Sequence, residues 1–379
     1  MNSISIVVKP VISCNIGCKH CYHTVSERSS PDVISPETLE KVIRYASDEY
    51  ETAWFIWHGG EPLTLPLRFY KNAIDIQERY FGKDSHRVSN TIQTNGTLMN
   101  KRFADLCRDK RINVGVSFEG PCNNVLRERT ADVQKNIEMM KRSGNKFSVS
   151  STVCRTVTEN MGRIYDHFVG NDMALSFSPV IGSGCAGADM VPDALEYSKK
   201  SIELFDRWLY DVNASVPLMP HFQYVMSALG EPSASDCSHS SCLMRWISVY
   251  PNGDLYPCAK GCPSSLKLCN ISDIERLSDA FLTDAMNEML SKTIERREKC
   301  MSSCELYRYC NGGCSMDALS EGPMSDNGFS SCVIFKNVFP HILGTIGTIL
   351  KERPDLSRYN RFVRDAIVGE LVSPMAAGI

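Results

Sequence analysis

The chain has no surplus of either charge: 41 lysines and arginines stand against 44 aspartates and glutamates, a net of −3, with the two signs interspersed. That leaves no basic face for nucleic acid or an anionic membrane surface, and large polyanions are not expected as partners. A secretory start is missing too, because residues 1–8 offer no basic segment, no long apolar run and no small-residue cleavage site. Nor is there an unbroken apolar stretch of membrane length. The longest, 333–350, is interrupted by Lys336, Asn337, Pro340 and His341 and reads as a buried helix pair, not a span. No internal repeat is present. These absences predict a cytoplasmic protein without nucleic-acid or membrane partners.

Cysteine, by contrast, is abundant, at seventeen in 379 residues. In an exported protein such a count would mean disulfides. Without an export signal, reduced thiols committed to metal are the better reading. The run Cys14-Asn15-Ile16-Gly17-Cys18-Lys19-His20-Cys21 follows a β-prone segment, 4–8, that stops at Pro10. Three sulfurs therefore sit in one loop leaving a first strand. Structural zinc closes with four ligands, whereas three cysteines leave one iron of a [4Fe–4S] cube open to an outside molecule. The spacing favours the cluster, with zinc the alternative.

Past that loop, helical and strand patterns alternate. Ser35-Pro36 opens a helix whose apolar residues Leu39, Val42, Ile43 and Ala46 recur at helical spacing. Strands are predicted at 52–57, 88–93, 112–117, 147–153 and 174–180, with helices at about 65–80, 100–109, 133–143 and 159–168. Six strands alternating with helices predict an α/β fold, a partial (β/α)6 TIM-like barrel with its chemistry at the strand C-termini. A glycine-rich loop, residues 182–187, and a helix at 192–211 follow. Composition shifts after Gly230, and ten of the seventeen cysteines lie from Cys237 onward. The expected organisation is a barrel over 1–230, a cysteine-organised segment over 231–335 and a helical segment over 336–379.

With Tyr22 directly after it, the C-x3-C-x2-C loop resembles the signature of the radical S-adenosylmethionine (SAM) superfamily. In that family the open iron chelates SAM, and one electron from the cluster cleaves the sulfonium to give a 5′-deoxyadenosyl radical. Gly59-Gly60-Glu61-Pro62, beginning 38 residues past Cys21, resembles the family's GGEP stretch, which receives the SAM amino group. Glycines let backbone carbonyls approach a ligand, and Glu61 would place negative charge opposite an ammonium. Gln93-Thr94-Asn95-Gly96 and Ser117-Phe118-Glu119-Gly120 are similar to its QTNG and SxDG turns, implying SAM contacts from Asn95 and Ser117; Glu119 stands where aspartate is usual. Arg127 resembles the arginine of an H-D-x-x-R pattern, here preceded by Asn123-Asn124, and implies a grip on a carboxylate.

The C-terminal cysteines resemble the SPASM domain of peptide-modifying radical SAM enzymes: a G-x4-C hairpin, Gly253 to Cys258, then Cys300-x3-Cys304-x5-Cys310-x3-Cys314 and a last Cys332. The gap between Cys300 and Cys304 is one residue longer than usual. The match implies two auxiliary [4Fe–4S] clusters, on Cys237, Cys242, Cys258 and Cys314 and on Cys300, Cys304, Cys310 and Cys332, three clusters in all. A zinc-ribbon-like module on Cys300, Cys304, Cys310 and Cys314 is the alternative. Of the remaining cysteines, Cys107, Cys122, Cys154, Cys185, Cys262 and Cys269, most read as core residues. Cys185, in the glycine-rich loop, is the candidate catalytic thiol that meets a substrate radical.

Sulfatase-maturing members of that group carry an aspartate after the G-x4-C cysteine as the base that removes a substrate proton. Here that position is Ala259, followed by Lys260, and a methyl group accepts no proton. The resemblance therefore implies first a maturase that forms an intramolecular thioether or carbon–carbon crosslink in a ribosomally made precursor peptide. It would draw electrons from a flavodoxin- or ferredoxin-type reductant. The family's separate leader-recognition domain is not visible ahead of the first strand, so leader binding is expected to use another surface or a separate leader-binding protein. The alternatives are formylglycine generation in sulfatases and a cluster-bearing electron-transfer or binding module without SAM cleavage.

Overall fold

In the computed structural model, residues 3–83, 86–231, 239, 242–260 and 263–376 are described; Cys237 and Cys262 lie outside them. Strand β1 (Ser3–Val8) leads through the cysteine loop to α1 (Pro36–Glu49), whose Ser35 Oγ accepts from Thr38 N at 3.0 Å while Pro36 takes the first helical position. Four of the buried residues of α1, Leu39, Val42, Ile43 and Ala46, are the expected apolar stripe.

The alternation continues with β2 (Thr52–Trp57), α2 (Leu67–Phe81), β3 (Val88–Thr94), α3 (Lys101–Asp109) and β4 (Asn113–Ser117). Then come α4 (Asn123–Leu126), α5 (Thr130–Arg142), β5 (Phe147–Val153), α6 (Met161–Val169), β6 (Ala174–Pro179) and α7 (Ala194–Leu209). A two-residue strand β7 (Leu218–Met219), too short to show in the residue pattern, precedes α8 (His221–Ala228). The six expected strands all form, within two residues of their predicted ends. They pair in parallel from β1 through β7 and bury Ile6, Val8, Phe55, Ile92, Val116, Val149 and Val153 beneath the helices.

What the pattern did not foresee is the other edge of β1. Strand β8 (Trp246–Val249) lies parallel to it, Ser5 opposite Trp246 and Val8 opposite Val249; β9 (Asp254–Tyr256) and β10 (Cys269–Asn270) follow antiparallel. One ten-stranded sheet, in the order β10-β9-β8-β1-β2-β3-β4-β5-β6-β7, thus brings C-terminal cysteines beside the loop that leaves β1.

The remaining helices are α9 (Asp284–Ser303), α10 (Tyr307–Cys310), α11 (Ser315–Glu321), α12 (Ser330–Glu352) and α13 (Arg361–Ala376). The expected helix pair at 333–350 is instead one continuous helix, α12. Pro340 falls on its exposed face, where the carbonyl left without an amide partner can face solvent, so the helix runs through it. By length and composition α12 could cross a membrane. In the fold, Phe335, Val338, Phe339, Ile342 and Ile346 are buried at helical spacing and α12 packs on α7 and α8, which accounts for its apolar character.

Candidate cluster-binding site

Above the C-terminal ends of the strands lies a cavity of about 690 Å³. Cys14, Cys18 and Cys21 form one part of its wall, and Cys310, Cys314 and Cys332 another. The N-terminal loop is pinned on three sides. From β3, Asn95 Nδ2 donates to Asn15 Oδ1 (3.0 Å) and lies 3.8 Å from Cys14 Sγ, while its Oδ1 accepts from Thr97 N and Oγ1. From the loop after β2, Gly60 comes so close that a Cβ there would stand 2.1 Å from the carbonyl oxygens of Ile12 and Ser13. From beyond β6, Cys185 N donates to Cys21 O at 2.7 Å, tying the first and sixth strand loops together across the barrel mouth.

Gly59 and Gly60 line the cavity; Glu61 and Pro62 of the same motif do not. Instead of facing an ammonium, the fully buried Glu61 carboxylate accepts from Leu63 N (2.9 Å), Thr94 Oγ1 (2.7 Å) and Asn95 N (2.7 Å), lashing the β2 and β3 loops together. Burial pushes it up to about 7, against the pull of those three donors.

Ser117 lies on the wall with its Oγ accepting from Gln93 Nε2 at 2.9 Å. Glu119 does not reach the cavity. Its longer side chain receives Arg127 Nε on both oxygens (3.0 and 2.9 Å) and Thr152 N (3.1 Å). That pairing aims the Arg127 guanidinium at the cluster loop, with Nη1 3.5 Å from Cys18 Sγ and Nη2 3.2 Å from Thr152 Oγ1. Tyr22 Oη stands 3.1 Å from His58 Nδ1 and 3.5 Å from Gly59 O, joining the cysteine loop to the glycine loop.

The C-terminal thiols sort into two groups. Burial drives Cys310 up to about 12, and the nearby thiols of Cys332, Cys300 and Cys304 add to it. Cys314, also raised to about 12 by burial, neighbours Cys258 and Lys260. Cys242 opens the approach to β8, and Cys237 of the same expected set lies outside the described residues. Lys260 Nζ pairs with Asp317 and stands 3.8 Å from Cys314 Sγ, and Ser331 Oγ donates to Asp317 Oδ2 at 2.9 Å. Cys185 is not on the cavity wall. Its Sγ turns back to donate to His23 O (3.2 Å), beside Arg28 Nη2 (3.4 Å). Cys107, Cys122 and Cys154 are buried in the core as expected.

Sequence reasoning missed Arg28, His58, Lys260 and Asp317, all on the cavity wall. His58, directly before Gly59, Lys260, two residues past Cys258, and Asp317, three residues past Cys314, carried a positional hint.

The donor set fits an iron–sulfur cluster. Burial lifts the Cys14 thiol to about 11, helped by Glu61, Cys18 and Cys21, so these sulfurs stay protonated until a cation displaces the protons. Among the described residues no three His, Cys, Asp or Glu side chains close on one point as a single ion requires. Three thiols from one loop on a shared cavity wall suit three corners of a cube whose fourth corner is left to another molecule.

Residues 8–167 match the Radical SAM superfamily, and with this fold and this loop that part of the chain is the radical SAM domain of an enzyme. Such enzymes work with a [4Fe–4S] cluster and SAM. More particularly, it is similar to the cysteine-type anaerobic sulfatase-maturating enzyme of Clostridium perfringens, 24% identical over 92% of this chain and all of that one. It is likewise similar to the serine-type anaerobic sulfatase-maturating enzyme of Bacteroides thetaiotaomicron, 25% identical over 92% of this chain and 91% of that one. Among solved structures, native anSMEcpe with bound AdoMet and Cp18Cys peptide shares the fold at TM-score 0.77 and 23% identity, over 92% of this chain and 99% of that one. Streptococcus suis SuiB bound to S-adenosylmethionine shares it at 0.63 and 17%, over 87% and 77%.

Proposed function

We propose that this enzyme oxidises a residue of a ribosomally made peptide in the cytoplasm and closes an intramolecular crosslink. Cys14, Cys18 and Cys21 hold the SAM-binding cluster in this reading, with Tyr22, Gly59, Gly60, Asn95, Ser117 and Arg127 around the SAM, and Glu61 and Pro62 bracing the glycine loop from behind. When bound, cluster and SAM supply a carbon radical that takes one hydrogen atom from the substrate. Arg127, held by Glu119, offers its remaining donors to a carboxylate. The two C-terminal cysteine groups would each hold a further cluster, three in all, which would supply an acceptor for the electron released on ring closure.

The observation that carries the crosslink reading is the cavity wall after Cys258. Ala259 has no acid–base chemistry, and the Lys260 ammonium beside it is tied to Asp317. Hydrogen abstraction followed by bond formation needs no carboxylate base at that place. Formylglycine generation is the second reading. Two observations favour it: the full-length similarity to sulfatase-maturating enzymes, and the position of Asp317, the only aspartate or glutamate among the described residues lining the cavity.

Mass spectrometry after anaerobic incubation with SAM and reductant decides between them. A precursor peptide encoded beside this chain should lose two hydrogens and show an internal link in fragmentation. Conversion of a single cysteine or serine in a sulfatase peptide, with no product from the precursor, would reverse the order.

A further inference from the structure

We infer that Lys9 is a positioning residue of the N-terminal cluster: its buried ammonium raises the cluster's reduction potential and clamps Tyr22 between the cysteine loop and the C-terminal hairpin. The inference rests on the reading that Cys14, Cys18 and Cys21 hold a [4Fe–4S] cluster. Lys9 directly follows β1, and none of it reaches solvent. A lysine is rarely buried so completely, and when it is, its surroundings are built to hold it.

Two aromatic rings are among its surroundings, and the Glu27 carboxylate lies within its field. Lys9 Nζ donates to Tyr250 Oη at 2.9 Å and lies 4.4 Å from the centre of the Tyr250 ring and 5.0 Å from that of Tyr22. Tyr250 follows β8 and packs on Tyr256 of β9, with ring centres 4.6 Å apart. Tyr22 follows Cys21 and reaches His58 and Gly59. One ammonium therefore sits where the first strand, the cysteine loop and the C-terminal hairpin cross. The field of Lys9 reaches its neighbours too. His58 is pushed down to about 4, by burial first and by Lys9 next.

A cluster gains negative charge on reduction, so a fixed cation in a water-poor site stabilises the reduced state more than the oxidised one. Groups behind the ligands tune metal centres in this way. If Lys9 only filled space, methionine of similar length would replace it without electrical consequence.

Redox titration of the full-length, anaerobically reconstituted protein tests this. The N-terminal cluster is followed by electron paramagnetic resonance and identified by the change in its signal on adding SAM. Lys9→Met should keep its iron and shift the midpoint to more negative potential, lowering the reduced fraction at a fixed poise on the order of tenfold, and Lys9→Arg should restore the wild-type midpoint. Full iron with an unmoved midpoint in Lys9→Met overturns the inference. Should Lys9→Met take up less iron, Lys9→Gln keeps a partner for Tyr250 and removes only the charge; the same negative shift supports the inference and an unmoved midpoint overturns it. Wild-type protein without iron and sulfide at the N-terminal cysteines overturns the functional reading and this one together. An intact wild-type cluster that is indifferent to Lys9 overturns this one alone.

Discussion

Gly184 lets two loops meet. Its φ of +61° is in the left-handed region, and a Cβ there would lie 2.3 Å from both the carbonyl carbon and the oxygen of Tyr22. Gly184→Ala should loosen the bond from Cys185 N to Cys21 O and cost about 1–3 kcal/mol, read as a lower anaerobic denaturation midpoint with reduced iron uptake. Glu61 makes a pH prediction. Its folded pKa, about 7, lies above its ordinary value of 4.5, so the folded state binds more protons than the unfolded state between those limits. The resulting stability is complete below about 4.5 and is lost as pH rises through 7, a difference of about 3 kcal/mol. Glu61→Gln should flatten the stability profile over that window in denaturant titrations at several pH values. A profile as steep as wild type would show that the carboxylate stays ionised.

Among the elements, α9 does more than link strands to cysteines. Arg296, fully buried in it, donates to the carbonyls of Gly312 (2.9 Å) and Met324 and to Ser315 Oγ (2.8 Å), holding the turn that carries Cys310 and Cys314. Arg296→Met leaves those acceptors without donors and should cost about 3–5 kcal/mol, with iron lost from the C-terminal clusters before the N-terminal one. Helix α12 is a packing element, so Ile346→Ala, at a site 1% exposed, should cost about 2–5 kcal/mol in thermal or denaturant unfolding without changing the SAM-dependent signal of the N-terminal cluster. Its apolar run looked like two helices because proline usually ends one; where Pro340 falls on the helix surface is settled only by what α12 packs against.

For the molecule as a whole, the proposed division of the cysteines among three clusters predicts that replacing Cys14, Cys18 and Cys21 together with alanine abolishes SAM cleavage and leaves about two-thirds of the iron. Metal analysis showing none would mean the cysteines are wrongly divided. The alternating elements and the cysteine loop were legible because they are local: a β-prone run between turn residues, or an apolar stripe at helical spacing, is complete within a dozen residues. Glu61 was legible as a motif residue, but its direction was not, because the donors that turn it from the cavity come mainly from a different strand. Lys9, Arg296 and the Lys260–Asp317 pair read as solvated charges in a linear sequence, since burial depends on which distant segments come to cover them. Thus the sequence alone determined the (β/α) order, the thiol chemistry and its two ends. Only the tertiary structure decided that β8 would pair with β1 across some 240 residues, because nothing local in either segment identifies a partner so far along the chain, and it is this pairing that sets both ends on one cavity.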